Sequence, residues 1–231
     1  MLRSDEAKTL RWVEGFKELS PSEIERASAQ CHWHWYEAEE RILSQEDRTT
    51  DVFFIVQGRV RITNYSPDGS EVSFRDMGIG ETFGELAAID GLPRSASAVA
   101  LSDALVASTS APAYWRLLEA HPALTRHCLI RLARLVRALS DRVVEFATLS
   151  VRDRISAELL RLAARRSGSE GLWEIERMPT HAELASRVAT HREAVTRVLH
   201  KLELDGTIRR EGRKLILADP AGLRSALKEK A

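Results

Sequence analysis

Apolar positions change period along the chain, and each change predicts a different element. Leu10, Val13, Phe16 and Leu19 recur at three-residue steps in LRWVEGFKEL, which reads as helix within the first thirty residues. Ser20-Pro21-Ser22-Glu23 reads as a further helix start, with proline in the first turn. From about Cys31 the period becomes two. CHWHWY sets Cys31, Trp33 and Trp35 against His32, His34 and Tyr36. DVFFIVQGRVRITNY reads as a strand, a turn at Gln57-Gly58 and a second strand alternating through Val60, Ile62 and Asn64. SPDGSEVSFRDM repeats the pattern around Pro67-Asp68-Gly69 as a hairpin turn. The strand pattern runs through SASAVALSDALVAST to about residue 109, with glycines at 58, 69, 78, 80, 84 and 91 marking corners. Short strands with glycine-rich corners predict an antiparallel barrel or jelly roll.

Residues 112–148 return to a helical period. Leu132, Leu135, Leu139, Val143 and Phe146 step by three or four, with Val136 widening the stripe and Arg131, Arg134, Arg137 and Arg142 largely off it. A helix packed on its own barrel is one reading. A continuous apolar seam on a long exposed element favours the other, a parallel homodimer through helix 121–146. A boundary falls near 147–151, where VRDRISAELLRLAARR starts a new amphipathic helix ended by the loop SGSEG; a short strand, WEIERM, and two close helical segments follow. The expected architecture is α+β: residues 1–120 an N-terminal antiparallel β jelly roll with an N-terminal helix, 121–149 a long dimerisation helix and hinge, and 150–231 a winged helix-turn-helix.

Composition narrows the function. No run approaches the roughly 18 apolar residues of a membrane span, and MLRSDEAKTL lacks the apolar core of a secretory signal, so a cytoplasmic protein is expected. Cys31 and Cys128 stand far apart, too few for a disulfide framework or an iron–sulfur cluster. The net charge of zero hides an asymmetry: residues 151–231 hold 17 Lys+Arg against 12 Asp+Glu, and residues 1–150 hold 17 against 22. A basic C-terminal third points to a polyanion partner there.

The most informative stretch is FGELAAIDGLPRSA, residues 83–96. Glycine beside a helical turn lets backbone N–H groups approach an anion. Arg94 offers a guanidinium fork that fits a phosphate, and Ser95 one more donor. Glu85 is a poor phosphate ligand but a good acceptor for a sugar hydroxyl. Together they describe a site for a phosphate-bearing sugar. The FGEL…PRSA cassette, with Glu and Arg nine positions apart, resembles the cyclic-nucleotide-binding domain of the CRP/FNR family of transcription regulators. That resemblance implies that Gly84, Glu85 and Leu86 surround the ribose and cyclic phosphate, while Arg94 and Ser95 hold the phosphate. Family members that bind cyclic AMP contact adenine with a Thr-Ser pair on the long helix, the Ser coming from the other subunit. Aligned from His121-Pro122, those positions fall on Leu139 and Ser140. Only the second is kept, so cyclic AMP as allosteric ligand and cyclic GMP both stay open.

PTHAELASRVATHREAVTRVLHKLELDGTI holds two short helical segments joined by Val188-Ala189-Thr190. Thr180 and Glu183 form a capping box at the start of the first, and Thr180 is also expected among the DNA-contacting residues. The second is expected to bury Val195, Val198, Leu199 and Leu202, turning His191, Arg192, Thr196, Arg197 and His200 outward, where a recognition helix meets base edges. IRREGRKLIL reads as a two-stranded wing whose Arg209, Arg210, Arg213 and Lys214 suit phosphates. This segment is similar to the winged helix of the same family, whose R-E-x-x-x-R pattern falls on Arg192, Glu193 and Arg197. The resemblance implies double-stranded DNA as partner, bound at a palindromic operator with TGTGA-like half-sites. His191 departs from the small hydroxyl residue often found there.

His32 and His34 alternate on one strand without a third ligand, which makes a weak metal site; no metal is expected. The family's similar CHxH strand belongs to a surface contacting RNA polymerase, although the Lys completing it falls on Ala113. No nucleophile–base set is present, so no catalytic residues and no enzyme activity are expected.

Overall fold

The computed structural model describes residues 9–65, 71–165 and 173–228. Helices and antiparallel sheets are mixed, as the sequence predicts, and the chain divides into two compact units, Met1–Leu135 and Val136–Ala231. Among the described residues no helix is long and apolar enough to cross a membrane.

The first unit is built on two four-stranded antiparallel sheets. One runs β1 (His32–Tyr36), β8 (Ala104–Thr109), β3 (Val52–Gln57), β6 (Thr82–Phe83); the other runs β2 (Arg41–Leu43), β7 (Ser97–Ala100), β4 (Val60–Tyr65), β5 (Glu71–Met77). Strand β3 explains the run VFFIV. Phe53 and Ile55 join Val60, Met77, Phe83, Ala98 and Val106 in a core drawn from both sheets. Val52 and Phe54 point the other way, into a helical layer with Leu10, Phe16, Tyr114 and Leu124. A strand buried on both faces loses alternation and reads as continuously apolar. Burying a side chain such as Phe54 stabilises by roughly 1.5–3 kcal/mol. At Gly58 the chain leaves β3 for β4 in the other sheet, and a Cβ there would meet the Asp103 carbonyl at 2.3 Å. The turn expected at Pro67-Asp68-Gly69 lies outside the described residues, while the strands flanking it, β4 and β5, pair antiparallel.

Two expectations about helices change here. The N-terminal stripe forms two 3₁₀ turns, Leu10–Trp12 and Glu14–Phe16, followed by α1 (Pro21–Ala29) with a Ser20/Glu23 capping box. Its strict three-residue spacing suits 3.0 residues per turn better than 3.6, and Leu10, Val13, Phe16 and Leu19 are buried as the stripe requires. The helix expected over 112–148 is two, α3 (Ala111–Ala120) and α4 (Pro122–Thr148), broken at an extended His121. Pro122 disfavours helical backbone in the residue before it. Between β6 and β7 lies the short α2 (Glu85–Asp90).

In the second unit, Ser150 caps α5 (Val151–Leu162). This helix stops before Ala163 rather than running on through AARR, because Ala164–Arg165 form β9 against β10 (Trp173–Ile175). Tertiary pairing there outweighs helix propensity. The loop SGSEG lies outside the described residues. Helices α6 (His181–Arg187) and α7 (Arg192–Leu204) follow, then β11 (Ile208–Glu211), β12 (Lys214–Leu217) and α8 (Pro220–Lys228), with the sheet ordered β11-β12-β10-β9. Ile155, Leu159, Leu184, Val195, Leu199, Leu202, Ile208 and Leu215 make the core.

Candidate functional site

The cassette is assembled at the exit of β6. Gly84 takes φ +80°, and a Cβ on it would lie 2.9 Å from Arg94 Nη1 and 3.0 Å from the Asp51 carbonyl. Only glycine admits both the backbone and the guanidinium at this point. Arg94 is 2% exposed. Its Nη1 donates to the Gly84 carbonyl at 2.8 Å, its Nε donates to Thr49 Oγ1 at 3.1 Å, and its guanidinium lies over the Phe53 ring at 5.5 Å. Its backbone N–H donates to the Asp47 carbonyl at 2.8 Å. Burial draws Arg94 below its ordinary pKa, while the charges of Asp51, Asp47 and Glu85 act in the opposite direction. Arginine keeps its proton regardless. Its Nη2 is buried without a hydrogen-bond partner among the described residues. A buried, oriented, unspent donor on a permanent cation is what an anionic ligand would complete.

Glu85 is 5% exposed and pairs with Arg131 of α4, whose Nη1 also donates to the Thr82 carbonyl. Leu86 is at the edge of exposure, and Ser95 is exposed. Gly84, Glu85 and Arg94 are thus brought together. Sequence reasoning missed Thr49 and Arg131, 45 and 37 positions from Arg94; neither carries a local signal. Leu139 and Ser140 belong to the second unit; both are exposed, and Ser140 Oγ donates back to the Val136 carbonyl at 3.0 Å. Of the seam expected along α4, Val136, Leu139, Val143 and Phe146 are exposed, with Val143 highest at 68%, while Leu135 is half-buried and Leu132 is half-buried against the helical layer of the first unit.

The second candidate site lies on α6, α7 and the β11–β12 wing. Thr180 and Glu183 form the expected capping box, with the Thr180 N–H donating to Glu183 Oε2 at 2.8 Å and the Glu183 N–H to Thr180 Oγ1 at 3.2 Å. The Thr180 hydroxyl is therefore occupied in holding the helix start. Val188 is fully buried between the helices, and Ala189 turns the chain at φ +49°. Helix α7 buries Val195, Leu199 and Leu202, and leaves His191, Arg192, Glu193, Thr196, Arg197 and His200 exposed. Val198 is only half-buried, where full burial was expected. At the wing tip Arg213 is exposed beside Gly212. Arg209 pairs with Glu211, Arg210 with Glu203 and Lys214 with Glu174. The outcome is a face on which cationic side chains and a capped helix start share one surface, the chemistry of a phosphate backbone and base edges.

Beneath that face Glu158, 2% exposed, gathers three guanidinium groups: Arg142 of α4 at 2.8 Å, Arg161 at 2.9 Å and Arg187 of α6 at 3.5 Å. Glu145 of α4 joins Arg161 at 2.6 Å.

Elsewhere, His32 and His34 are exposed on β1. Among the described residues no group of three His, Cys, Asp or Glu is placed to hold a metal ion.

Residues 33–121 match the family model of the cyclic nucleotide-binding domain, and residues 153–226 match that of the Crp-like helix-turn-helix domain. The chain is 31% identical over 194 residues to the cyclic AMP receptor protein of Thermus thermophilus, covering 84% of this chain and 87% of that protein. It is 27% identical over 188 residues to the cAMP-activated global transcriptional regulator of Haemophilus influenzae, covering 81% and 84%. Among solved structures, the catabolite activator protein of Thermus thermophilus matches with a TM-score of 0.54 at 28% identity, over 94% of this chain and 99% of that one. The c-di-GMP responsive global regulator of Xanthomonas campestris shares the fold, with a TM-score of 0.71 at 24% identity over 86% and 99%.

Proposed function

The chain belongs to the CRP/FNR family of transcription regulators, and from that premise we propose that it is a homodimer in which a cyclic nucleotide at Arg94 governs binding to a palindromic operator. The buried, unspent Nη2 of Arg94 beside Gly84 carries this reading. A cyclic phosphate accepting from it, and from Ser95, supplies the missing acceptor. A ribose hydroxyl donating to Glu85 reaches the carboxylate that Arg131 already holds, so ligand and α4 share one group. Helix α4 runs from Pro122 in the first unit to Thr148 in the second, and its exposed apolar seam gives a second copy a surface to cover. By the family resemblance Leu139 and Ser140 of that helix are assigned to the base, with Ser140 serving the partner's ligand.

Cyclic AMP is the leading ligand, supported by the receptor of Thermus thermophilus. The absence of a hydroxyl at Leu139 keeps cyclic GMP as the second arm. A different barrel ligand is the alternative. The Xanthomonas protein of this fold is described as responsive to c-di-GMP, which makes that nucleotide the third arm. On DNA, Arg192, Glu193 and Arg197 read base edges, with His191, Thr196 and His200 beside them, and Arg213 of the wing tip meets phosphate. Two such helices in a dimer stand about 34 Å apart, one turn of the duplex. His32 and His34 form the exposed strand face that would meet RNA polymerase.

The test is calorimetric titration with cyclic AMP, cyclic GMP and c-di-GMP separately, followed by anisotropy on a TGTGA palindrome at fixed salt. Binding of one nucleotide that raises DNA affinity, and its loss in Arg94→Ala, is the expected result. No binding of any of the three removes the cyclic-nucleotide reading and leaves the DNA-binding one.

A further inference from the structure

His181 opens α6 between the wing and α7, and its two ring nitrogens have different partners. Arg210 of β11 carries only donors, so the 3.4 Å approach of its Nη2 makes His181 Nε2 an acceptor. The ring proton then sits on Nδ1 and is donated to Thr196 Oγ1 at 2.8 Å. Thr196 in turn donates its hydroxyl proton to the Arg192 carbonyl at 3.0 Å. Donor and acceptor agree at all three links.

We propose that His181 is a positioning residue of the DNA-reading face: as the neutral Nδ1–H tautomer it ties Arg210 of the wing to the first turn of α7, and a second proton undoes the tie. The inference rests on the DNA-binding reading above. The charged groups around it are Arg210 from β11, Arg192 from α7, and Glu203 of α7, which pairs with Arg210 at 3.8 Å; on its own helix Glu183 is held by the cap. Burial first, then the charges of Arg210 and Arg192, holds His181 below the ordinary histidine pKa. The position at a helix start works in the same sense. The tie is therefore present above the folded pKa and lost as pH falls through it. A protonated His181 would also add sequence-independent attraction to phosphates, so the informative quantity is the ratio of specific to nonspecific affinity.

The experiment measures that ratio for the full-length protein with cyclic AMP, on a TGTGA palindrome and a scrambled duplex, at fixed salt from pH 8 to 5.5. His181→Gln keeps one acceptor and one donor at every pH; His181→Leu keeps neither. The wild-type ratio is expected to fall with pH more steeply than that of His181→Gln, and pH effects common to both proteins cancel in the comparison. His181→Leu is expected to lose about tenfold at pH 8, the worth of one hydrogen bond to a charged group. Without DNA, a long-range ¹H–¹⁵N spectrum should show His181 protonated on Nδ1. A His181→Gln profile that parallels the wild type, an undiminished ratio in His181→Leu, or an Nε2–H tautomer would overturn the proposal. If the wild type does not distinguish the two duplexes at pH 8 with cyclic AMP, nor with cyclic GMP or c-di-GMP in its place, while the spectrum shows Nδ1–H, it is the operator-binding reading that falls, and the inference with it.

Discussion

Glu85 of α2 and Arg131 of α4 neutralise each other at the mouth of the cassette, the carboxylate 5% exposed and the guanidinium also donating to the Thr82 carbonyl. The residue best suited to accept from a sugar hydroxyl is thus bound to the long helix before any ligand arrives. A buried carboxylate stripped of its partner is an uncompensated charge.

Arg131→Ala is therefore expected to lower unfolding stability by about 3 kcal/mol, read from chemical denaturation of the ligand-free protein. A loss within the 0–1 kcal/mol typical of an exposed pair would show that Glu85 and Arg131 do not depend on each other. Arg131→Lys keeps the charge but not the fork that reaches both Glu85 and Thr82, and should fall between.

Gly84→Ala tests the left-handed backbone at the same place. The φ of +80° costs an L residue roughly 1–2 kcal/mol, and the added Cβ lies 2.9 Å from Arg94 Nη1 and 3.0 Å from the Asp51 carbonyl. Arg94 can move; the Asp51 backbone cannot do so cheaply. Cyclic-nucleotide affinity and thermal stability should fall together. Wild-type affinity in Gly84→Ala, measured by calorimetry, would contradict the tight approach of Gly84 and Arg94.

Ala189 poses the converse case in the turn before α7. Its φ of +49° is paid for by an L side chain, so Ala189→Gly removes strain, less the extra entropy glycine holds in the unfolded chain. The net expectation is a gain of about 0.5–1 kcal/mol, seen as a higher denaturation midpoint at unchanged m-value. Destabilisation would mean that the Ala189 methyl contributes packing that outweighs the strain.

How much of this was legible in the sequence follows from how local each signal is. The Thr180/Glu183 capping box, the outward set on α7 and the wing were readable because their patterns close within a few residues. The cassette was readable as a motif, but the atoms that aim Arg94 were not: Thr49 and Asp51 arrive from the segment leading into β3. The period was misread where two helix types share it, since three-residue steps at Leu10, Val13 and Phe16 fit a 3₁₀ turn. Pro122 marks the break at His121, where the long helix is expected to begin, although 112–148 reads as one helical stretch by period alone. The charges around Glu158 come from three helices, and no spacing in sequence announces them.

Leu139→Glu addresses the seam. Leu139 is 43% exposed on α4, in line with Val136 and Val143, and a homodimer through this face would bury it. A carboxylate opposite its own symmetry copy costs both the lost apolar contact and like-charge repulsion. Sedimentation should show a dimer for the wild type and monomers for Leu139→Glu, with its helical content intact. A dimeric Leu139→Glu would place the interface elsewhere.

Glu158→Ala carries the same logic to the second unit. The carboxylate is 2% exposed and is shared by Arg142, Arg161 and Arg187, so its removal takes a common buried partner from three guanidinium groups. Breaking a buried pair this way typically costs about 3–5 kcal/mol, and burial makes that cost less sensitive to salt than a surface pair would be. Because Arg142 and Glu145 sit on the last turns of α4, the loss should appear locally as well. Amide exchange over 140–148 is expected to accelerate more than exchange in β11 and β12, whose pairing the cluster does not touch. Uniform acceleration across the unit would make Glu158 a general core residue, whereas acceleration confined to α4, α5 and α6 identifies it as the group that fastens the long helix to the helix-turn-helix.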